Sequence, residues 1–383
     1  MKRRVEFWSS TEGASFQRAL VGELSKANMP SELCYEVPQS AYWTARSGPA
    51  RLALRLRAYG AYPVRLALRF MRAPQGLVAV VCTNTFYAPW IALKAARPGV
   101  PVVHWVFDLF PDVLVAAGKL HPGGIVECSL RRIVRITFHR AAANVFLGEH
   151  LLRHAEARFG PIPRAYVIPV GADGTPFRDS PPQPRSGGTA VKILYCGNLG
   201  RMHDVDTVVA VVKRGLPAGI EMEFCGNGAG FFVLEEALRD AAVASRVRLG
   251  GNLPDLEWAS AMRAADVALV TMRTGAEGLI MPSKTYSAMV AGQAILAVCA
   301  RESDLADLVR KHDAGWVVAP GDASGLSALL QRIACTPEEI LTKRRNAWRA
   351  GQAHYDQSML TSAWVGVLET AAPMNVDFGK AIV

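Results

Sequence analysis

The sequence predicts an α/β protein built from two doubly wound, Rossmann-like domains facing across a cleft. Three observations carry that expectation. Short apolar runs rich in Val, Ile and Leu recur along the 383 residues and alternate with segments of helical period. The runs are mostly uncharged, as strands are when helices cover both faces of a parallel sheet. One Pro/Gly/Ser-rich stretch, residues 171–190, has no hydrophobic period and divides the chain into two lengths that suit ordinary domains.

In order along the chain, the first domain's strands are expected at residues 5–8, 77–82, 101–106, 143–147 and 165–168. The second domain's are expected at 191–196, 221–225, 247–249, 267–271, 294–298 and 315–318. Helical segments between them make repeated βαβ units. Residues 73–93 carry no charge and are long enough to span a bilayer, but Pro74, Gln75, Thr83, Asn84, Thr85 and Pro89 interrupt them. A strand, a polar turn and a helix fit better. A last helix is expected at 357–370, where it can cross back to the first domain.

Half the residues are hydrophobic and a fifth are charged, which excludes a disordered or collagen-like chain. The seven cysteines are scattered without CxxC spacing. That argues against a zinc site or a disulfide framework and for a reducing cytosol. No apolar segment follows the basic residues of Met1-Lys2-Arg3-Arg4-Val5, so no signal peptide is expected.

The net charge of +10 is uneven: +12 over residues 1–185 and −2 over the rest. No acid lies between Glu36 and Asp108, where Arg46, Arg51, Arg55, Arg57, Arg65, Arg69, Arg72, Lys94 and Arg97 fall. Arg-Leu-Ala-Leu-Arg occurs at 51–55 and again at 65–69, a shift that keeps both copies on nearly one helical face, with Gly60 and Pro63 expected to break the helix between them. Arg51, Arg55, Arg65, Arg69 and Arg72 suit the phosphates of an anionic membrane while Leu and Phe70 dip below. The alternative is a packed helix with solvated arginines. Nucleic acid needs the same charge, but no recognition motif accompanies it.

Two glycine turns are expected after strands of the second domain, Gly197-Asn198-Leu199-Gly200-Arg201 and Gly226-Asn227-Gly228. Glycine there lets a phosphate or base approach the backbone, and Arg201 can hold a diphosphate. Neither turn matches a dinucleotide fingerprint or a P-loop. Asp204-Val205-Asp206 has the look of a metal-binding pair, but at a helix start it reads as a cap. The segment 275–292 places Glu277-Gly278-Leu279-Ile280 in a turn and Pro282, Ser283 and Lys284 in a first helical turn. A Lys at a helix N-terminus is electrostatically misplaced unless an anion sits there. In the first domain, Asp108 closes a strand at the cleft edge, where it either caps a turn or serves an acceptor hydroxyl. His104, in mid-strand, reads as a core residue.

Gly197-Asn198-Leu199-Gly200-Arg201, Glu277-Gly278, Pro282-Ser283-Lys284 and Gly292, in that order and spacing, resemble the sugar-nucleotide domain of retaining glycosyltransferases of family four. The likeness covers most of residues 190–330 and is nearest to bacterial polysaccharide-assembly members. It implies a GT-B fold with an acceptor-binding, membrane-facing domain over 1–170, a linker at 171–190, a nucleotide-sugar domain over 191–352 and a C-terminal helix within 353–383. It implies a nucleoside-diphosphate sugar donor, UDP-linked, and no metal or cofactor. By this likeness Arg201 and Lys284 clamp the diphosphate. Glu277 and the N–H groups of Gly278, Leu279 and Ile280 hold sugar hydroxyls and phosphate. Gly226-Asn227-Gly228 and Gly251-Asn252-Leu253-Pro254 border the base, and Asp108 stands near the acceptor, a polyprenyl-diphosphate-linked sugar at the inner membrane face.

The sequence departs from the family pattern twice. Ser287 stands where the family usually has a second Glu for the ribose, and the loop after the first strand has only Gly13 where a Gly-Gly pair is usual. A nucleotide-sugar epimerase of the same architecture would need several carboxylates around the sugar, and few are present. A non-catalytic scaffold at the membrane is the third reading, and the missing Glu gives it weight.

Overall fold

The computed structural model describes residues 3–13, 15–45, 47–184, 190–239 and 246–371. In the first half, β1 (Arg4–Thr11), β2 (Ser31–Val37), β3 (Leu77–Cys82), β4 (Val102–Val106), β5 (Ala143–Phe146) and β6 (Ala165–Val167) form a parallel sheet ordered β2-β1-β3-β4-β5-β6. In the second half, β7 (Val191–Asn198), β8 (Ile220–Asn227), β9 (Val247–Gly250), β10 (Val267–Thr271), β11 (Ala294–Val298) and β12 (Gly315–Val318) form another, ordered β12-β11-β10-β7-β8-β9. The second order is that of a dinucleotide-binding sheet, with its switch point between β7 and β10.

Helices fill the crossovers. In the first half they are α1 (Ser15–Lys26), α2 (Gln39–Thr44), α3 (Gly48–Leu56), α4 (Tyr62–Met71), α5 (Ala88–Ala95), α6 (Asp112–Ala116), α7 (Ile125–Arg140) and α8 (Glu149–Phe159). In the second they are α9 (Asp206–Arg214), α10 (Ala229–Arg239), α11 (Asp255–Ala264), α12 (Lys284–Val290), α13 (Asp304–Lys311), α14 (Ala323–Cys335), α15 (Pro337–Ala350) and α16 (Gln357–Ala371). No helix among the described residues is long and apolar enough to cross a membrane.

β2 was not foreseen from the sequence. Its residues, SELCYEV, carry two acids and are only half-buried, because it is an edge strand. The rule of uncharged runs finds strands covered on both faces and misses edges. The expected break at Gly60 and Pro63 is also corrected. A π-helical turn, Arg57–Ala61, joins α3 to α4 without interruption, and Pro63 sits in the first turn of α4, where a missing N–H is tolerated. The two glycine turns begin two residues later than expected: Gly197 aligns with Gly226 and Asn198 with Asn227 as paired strand ends, and Leu199-Gly200-Arg201 and Gly228 follow as the turns.

α16 packs against α1 and β4 of the first sheet. Trp364 meets Trp105 edge-on at 4.8 Å and Phe7 at 5.8 Å, all three buried. The chain's two passages between the halves lie side by side. Ala172 N–H donates to Tyr355 at 2.8 Å, Gln357 N–H donates to Ala172 at 3.0 Å, and Arg178 pairs with Asp356 at 3.2 Å. Residues 185–189 of the expected linker and 372–383 of the expected C-terminal segment lie outside the described residues.

Candidate active site

The C-terminal strand edges of the two sheets enclose a cavity of about 570 Å³, a volume typical of small-ligand sites. Gly197, Asn198, Gly200 and Arg201 reach it from the end of β7, and Asn252 and Leu253 from the loop after β9. Ile280, Pro282, Ser283, Lys284 and Ser287 reach it from the start of α12. The first sheet contributes Ser15, Phe16 and Arg18 of α1, Gln39, and Asp108 after β4.

Lys284 is the cavity's most closely held cation. Its Nζ donates to the Tyr195 hydroxyl at 2.6 Å and to the Asn198 carbonyl at 3.3 Å, lies 3.4 Å from His203 Nε2, and stands 4.3 Å from the centre of the Tyr195 ring. Among the described residues no carboxylate lies within ion-pair distance of it. Burial without a counter-charge lowers its pKa to about 7. Arg201 lines the same cavity and is exposed. It also borders an adjoining hollow of about 430 Å³ shared with Arg273.

Across the cavity, burial pushes the Asp108 carboxyl up to about 6. Thr83 shapes its turn, accepting from the N–H groups of Phe107 and Asp108 at 3.0 and 3.2 Å. His104 is in the core, beside Asn144 Oδ1 at 3.2 Å, and burial lowers its pKa to about 4.

Other residues singled out from the sequence do not line this cavity: Gly226, Asn227, Gly228, Glu277, Gly278 and Leu279. Packing accounts for the glycines. A Cβ on Gly226 would fall 2.0 Å from the Gly197 carbonyl oxygen, so the end of β8 lies this close to β7 only because residue 226 is glycine. Gly278, at φ +69°, lies against α8, and a Cβ there would meet His154 Cβ at 2.8 Å. Leu279's carbonyl accepts from Leu109 N–H at 3.0 Å, so this turn seals the two halves together. Glu277 Oε2 accepts from Gly275 N–H at 2.7 Å, while its Oε1 is buried without a partner.

A second seam between the halves lies at α8. The Asp304 carboxylate, at the start of α13, accepts from the N–H groups of His150 and Leu151 at 3.0 and 3.3 Å, and His150 Nε2 lies 2.8 Å from Asp307.

Asp206 is the first residue of α9, and Asp204 acts locally. Asp204 accepts from the N–H and the hydroxyl of Thr207 at 3.0 and 2.5 Å, securing the start of α9. Glu6, Glu32 and Cys34 are a group of metal-type ligands outside the cavity. Arg4 binds Glu32 at 2.6 Å, and Arg69 binds Glu6.

The basic segment combines two faces. Leu52, Leu56, Tyr59, Val64, Leu68 and Met71 are each 45–64% exposed, whereas Leu54, Ala58, Tyr62, Leu66 and Phe70 are buried. At about 100° per residue, and with the extra residue of the π turn discounted, the exposed set spans an arc of about 80° and the buried set lies opposite. The π turn keeps both stripes in register. Its middle lies at the cleft end of the first sheet, where Thr85 donates to the Ala58 carbonyl at 3.0 Å. The absence of nearby acids in the sequence misled in part. Arg65 pairs with Glu36 of β2 at 3.2 Å and Arg69 with buried Glu6 of β1. Arg51 donates to the Ala45 carbonyl at 3.1 Å. Arg55 and Arg72 have no acidic partner among the described residues. Arg46 lies outside them.

Residues 190–335 match the family described as glycosyl transferases group 1. A probable glycosyltransferase of Pseudomonas aeruginosa, WbjE, is 28% identical over 325 residues, 81% of this chain and 79% of its own. The phosphatidyl-myo-inositol mannosyltransferase of Mycolicibacterium smegmatis is 32% identical over 229 residues, 55% of this chain and 53% of its own. These findings support a group 1 glycosyltransferase. Among solved structures, Anabaena HepE with UDP-glucose aligns at a TM-score of 0.70 and 14% identity, covering 96% of this chain and 99% of that one. WaaG, a glycosyltransferase of lipopolysaccharide biosynthesis, aligns at 0.66 and 15%, covering 95% and 99%. At such identities the likeness shows the fold, which is GT-B.

Tyr195, His203 and Arg18 belong to the site's surroundings and were missed from the sequence as site residues. Tyr195 sits inside an apolar strand run, where nothing marks it out. His203 adjoins Asp204-Val205-Asp206, whose resemblance to a metal pair drew the reading. Arg18 lies at the start of a helix after the first strand, a position that could have flagged it.

Proposed function

We propose that the protein moves a sugar from a nucleoside diphosphate, UDP-linked, to a hydroxyl of a polyprenyl-diphosphate-linked sugar, retaining anomeric configuration and without a metal. The site is the cytoplasmic face of a bacterial membrane and the product a cell-surface polysaccharide. The observation that carries this reading is Lys284: a cationic side chain with no carboxylate within ion-pair distance among the described residues, in the same cavity as Arg201, at the strand edge where such sheets bind nucleotides. The solved neighbour HepE was captured with UDP and with UDP-glucose, which supports the donor class.

The chemistry follows from charge. As the glycosidic bond to phosphate breaks, negative charge grows on the departing diphosphate. Lys284 and Arg201 stabilise that charge more than the ground state, so they lower the barrier. Asn252 and Leu253 border the base, and Ser287 faces the ribose in place of a Glu. Glu277, whose carboxylate is turned to the Gly275 N–H and does not line the cavity, is given no part in holding the sugar. Asp108, on the opposite wall, orients the acceptor hydroxyl and accepts its hydrogen bond. The apolar stripe with Arg51, Arg55 and Arg72 rests the first domain on anionic lipid beside the cleft. A thermal-shift screen of nucleoside diphosphates and their sugars tests the reading. A ligand at about 100 times its Kd should stabilise the protein by roughly 2.7 kcal/mol, whereas no shift with any of them would remove the donor assignment.

A further inference from the structure

The cavity continues inward from the two cations. An arm of it runs between α11 and α12, over β7 and β10, where Leu194, Met262, Ala268, Val270 and Ala288 line it, all of them buried. Ala268 lies three residues inside the end of β10, so the arm reaches about 10 Å below the strand edge at 3.3 Å per residue. One amide side chain lines its inner end. Gln293, 1% exposed, directly precedes β11, whose first residue pairs with Val267 deep in the sheet. Its N–H donates to the Ala288 carbonyl at 3.0 Å, which closes the last turn of α12 and fixes the backbone. Its Nε2 donates to the Met262 carbonyl at 2.9 Å. That carbonyl only accepts, so the amide cannot be turned over, and the atom left to the arm is oxygen. Gln293 Oε1 is buried and has no hydrogen-bond partner among the described residues. A buried acceptor left unmet costs free energy, so the geometry calls for a ligand group that donates to it.

We propose that the arm takes the nucleobase of the donor and that Gln293 is a specificity-determining residue, selecting a base with a ring N–H. This deepens the donor reading above and rests on it. With the diphosphate at Lys284 and Arg201, and the ribose beside Ser287 about one helical turn along α12, the nucleoside points down the arm past Leu253 and Trp258. The ring nitrogen on the pairing edge, N3 of a pyrimidine or N1 of a purine, then leads towards the inner end. In uracil, thymine and guanine that nitrogen carries a hydrogen, which Gln293 Oε1 accepts. In cytosine and adenine it carries a lone pair, which would face the lone pairs of the amide oxygen, and the exocyclic amino groups lie to the side of that axis. A site built around one buried acceptor rejects a ligand that leaves it unmet. The apolar walls cover the ring faces of any base, so the discrimination falls to this amide.

The test is calorimetry with two matched pairs, UDP against CDP and GDP against ADP, with inorganic pyrophosphate as the probe of the cations alone. In at least one pair the base with a ring N–H should bind about tenfold tighter or more. Gln293→Met keeps the volume and removes the acceptor. It should bring that pair to within about threefold by weakening UDP or GDP, and should leave pyrophosphate binding unchanged. Ala288→Leu narrows the arm and should weaken the nucleotides by about tenfold, again without moving pyrophosphate. CDP binding as tightly as UDP together with ADP as tightly as GDP, or a preference that survives Gln293→Met, overturns the arm and leaves the donor site standing. Should Gln293→Met not fold, the wild-type pairs and Ala288→Leu decide. Binding of none of the four nucleotides overturns the donor site and the arm together.

Discussion

Asp304→Ala probes how the two halves are held. In the structure the Asp304 carboxylate caps α8 from the other half of the molecule, accepting from His150 N–H at 3.0 Å and Leu151 N–H at 3.3 Å. A carboxylate at a helix N-terminus satisfies two otherwise orphaned donors and complements the helix dipole. Losing such a cap costs about 1 kcal/mol, up to about 2 where the donors stay partly buried. At RT of about 0.6 kcal/mol that is a fall of roughly 5- to 30-fold in protection from amide exchange, confined to the first turn of α8. Hydrogen exchange read by mass spectrometry on peptides covering 148–155 measures it. The neighbouring His150–Asp307 contact remains in the variant, so the loss should stay local. Unchanged protection in those peptides would refute the cap, and an equal fall across the whole molecule would show that Asp304 supports global stability instead.

Asp108→Asn should stabilise the protein at pH 8 by on the order of 2 kcal/mol. Its folded pKa is raised to about 6, so the wild type loses stability as pH climbs from the ordinary carboxylate range through 6. Denaturant titrations at pH 4 and pH 8 should therefore show the advantage shrinking at the lower pH. Transfer by the wild type should rise with pH through about 6, as Asp108 ionises to accept from the acceptor hydroxyl, and a flat profile would count against that role. Leu56→Ser and Arg55→Ala should weaken co-sedimentation with anionic vesicles, by about fivefold for the arginine, while Arg65→Ala, whose guanidinium is committed to Glu36, should not. Trp364→Ala should cost about 3–5 kcal/mol in denaturant titrations, because it removes a buried ring from between Trp105 and Phe7. A smaller loss would mean that α16 docks loosely on the first sheet.

The strands covered on both faces were legible because their chemistry is uniform: residues 77–82, 267–271, 294–298 and 315–318 match β3, β10, β11 and β12 end to end. β2 was hidden because an edge strand with Glu32 and Glu36 looks like a polar loop, and Glu36 pairs with Arg57 and Arg65, which the sequence left without an acid. Lys284 could be singled out since a cation at a helix start breaks a local rule. What surrounds it could not. Tyr195 and His203 lie 89 and 81 residues from it in the chain, and only the parallel pairing of β7 with β10 brings them together. The glycines at 226, 228 and 278 illustrate the opposite error. The sequence shows that the backbone needs freedom there, and the structure assigns that freedom to strand ends and a domain seam.

Transfer itself is the most direct measurement. Purified protein is incubated with radiolabelled nucleoside-diphosphate sugars and a bacterial lipid extract, and label in the organic phase is counted for the wild type and for Lys284→Met. The account predicts label in lipid with the wild type and a loss of about 100-fold or more in the variant. Equal transfer by both proteins would contradict it.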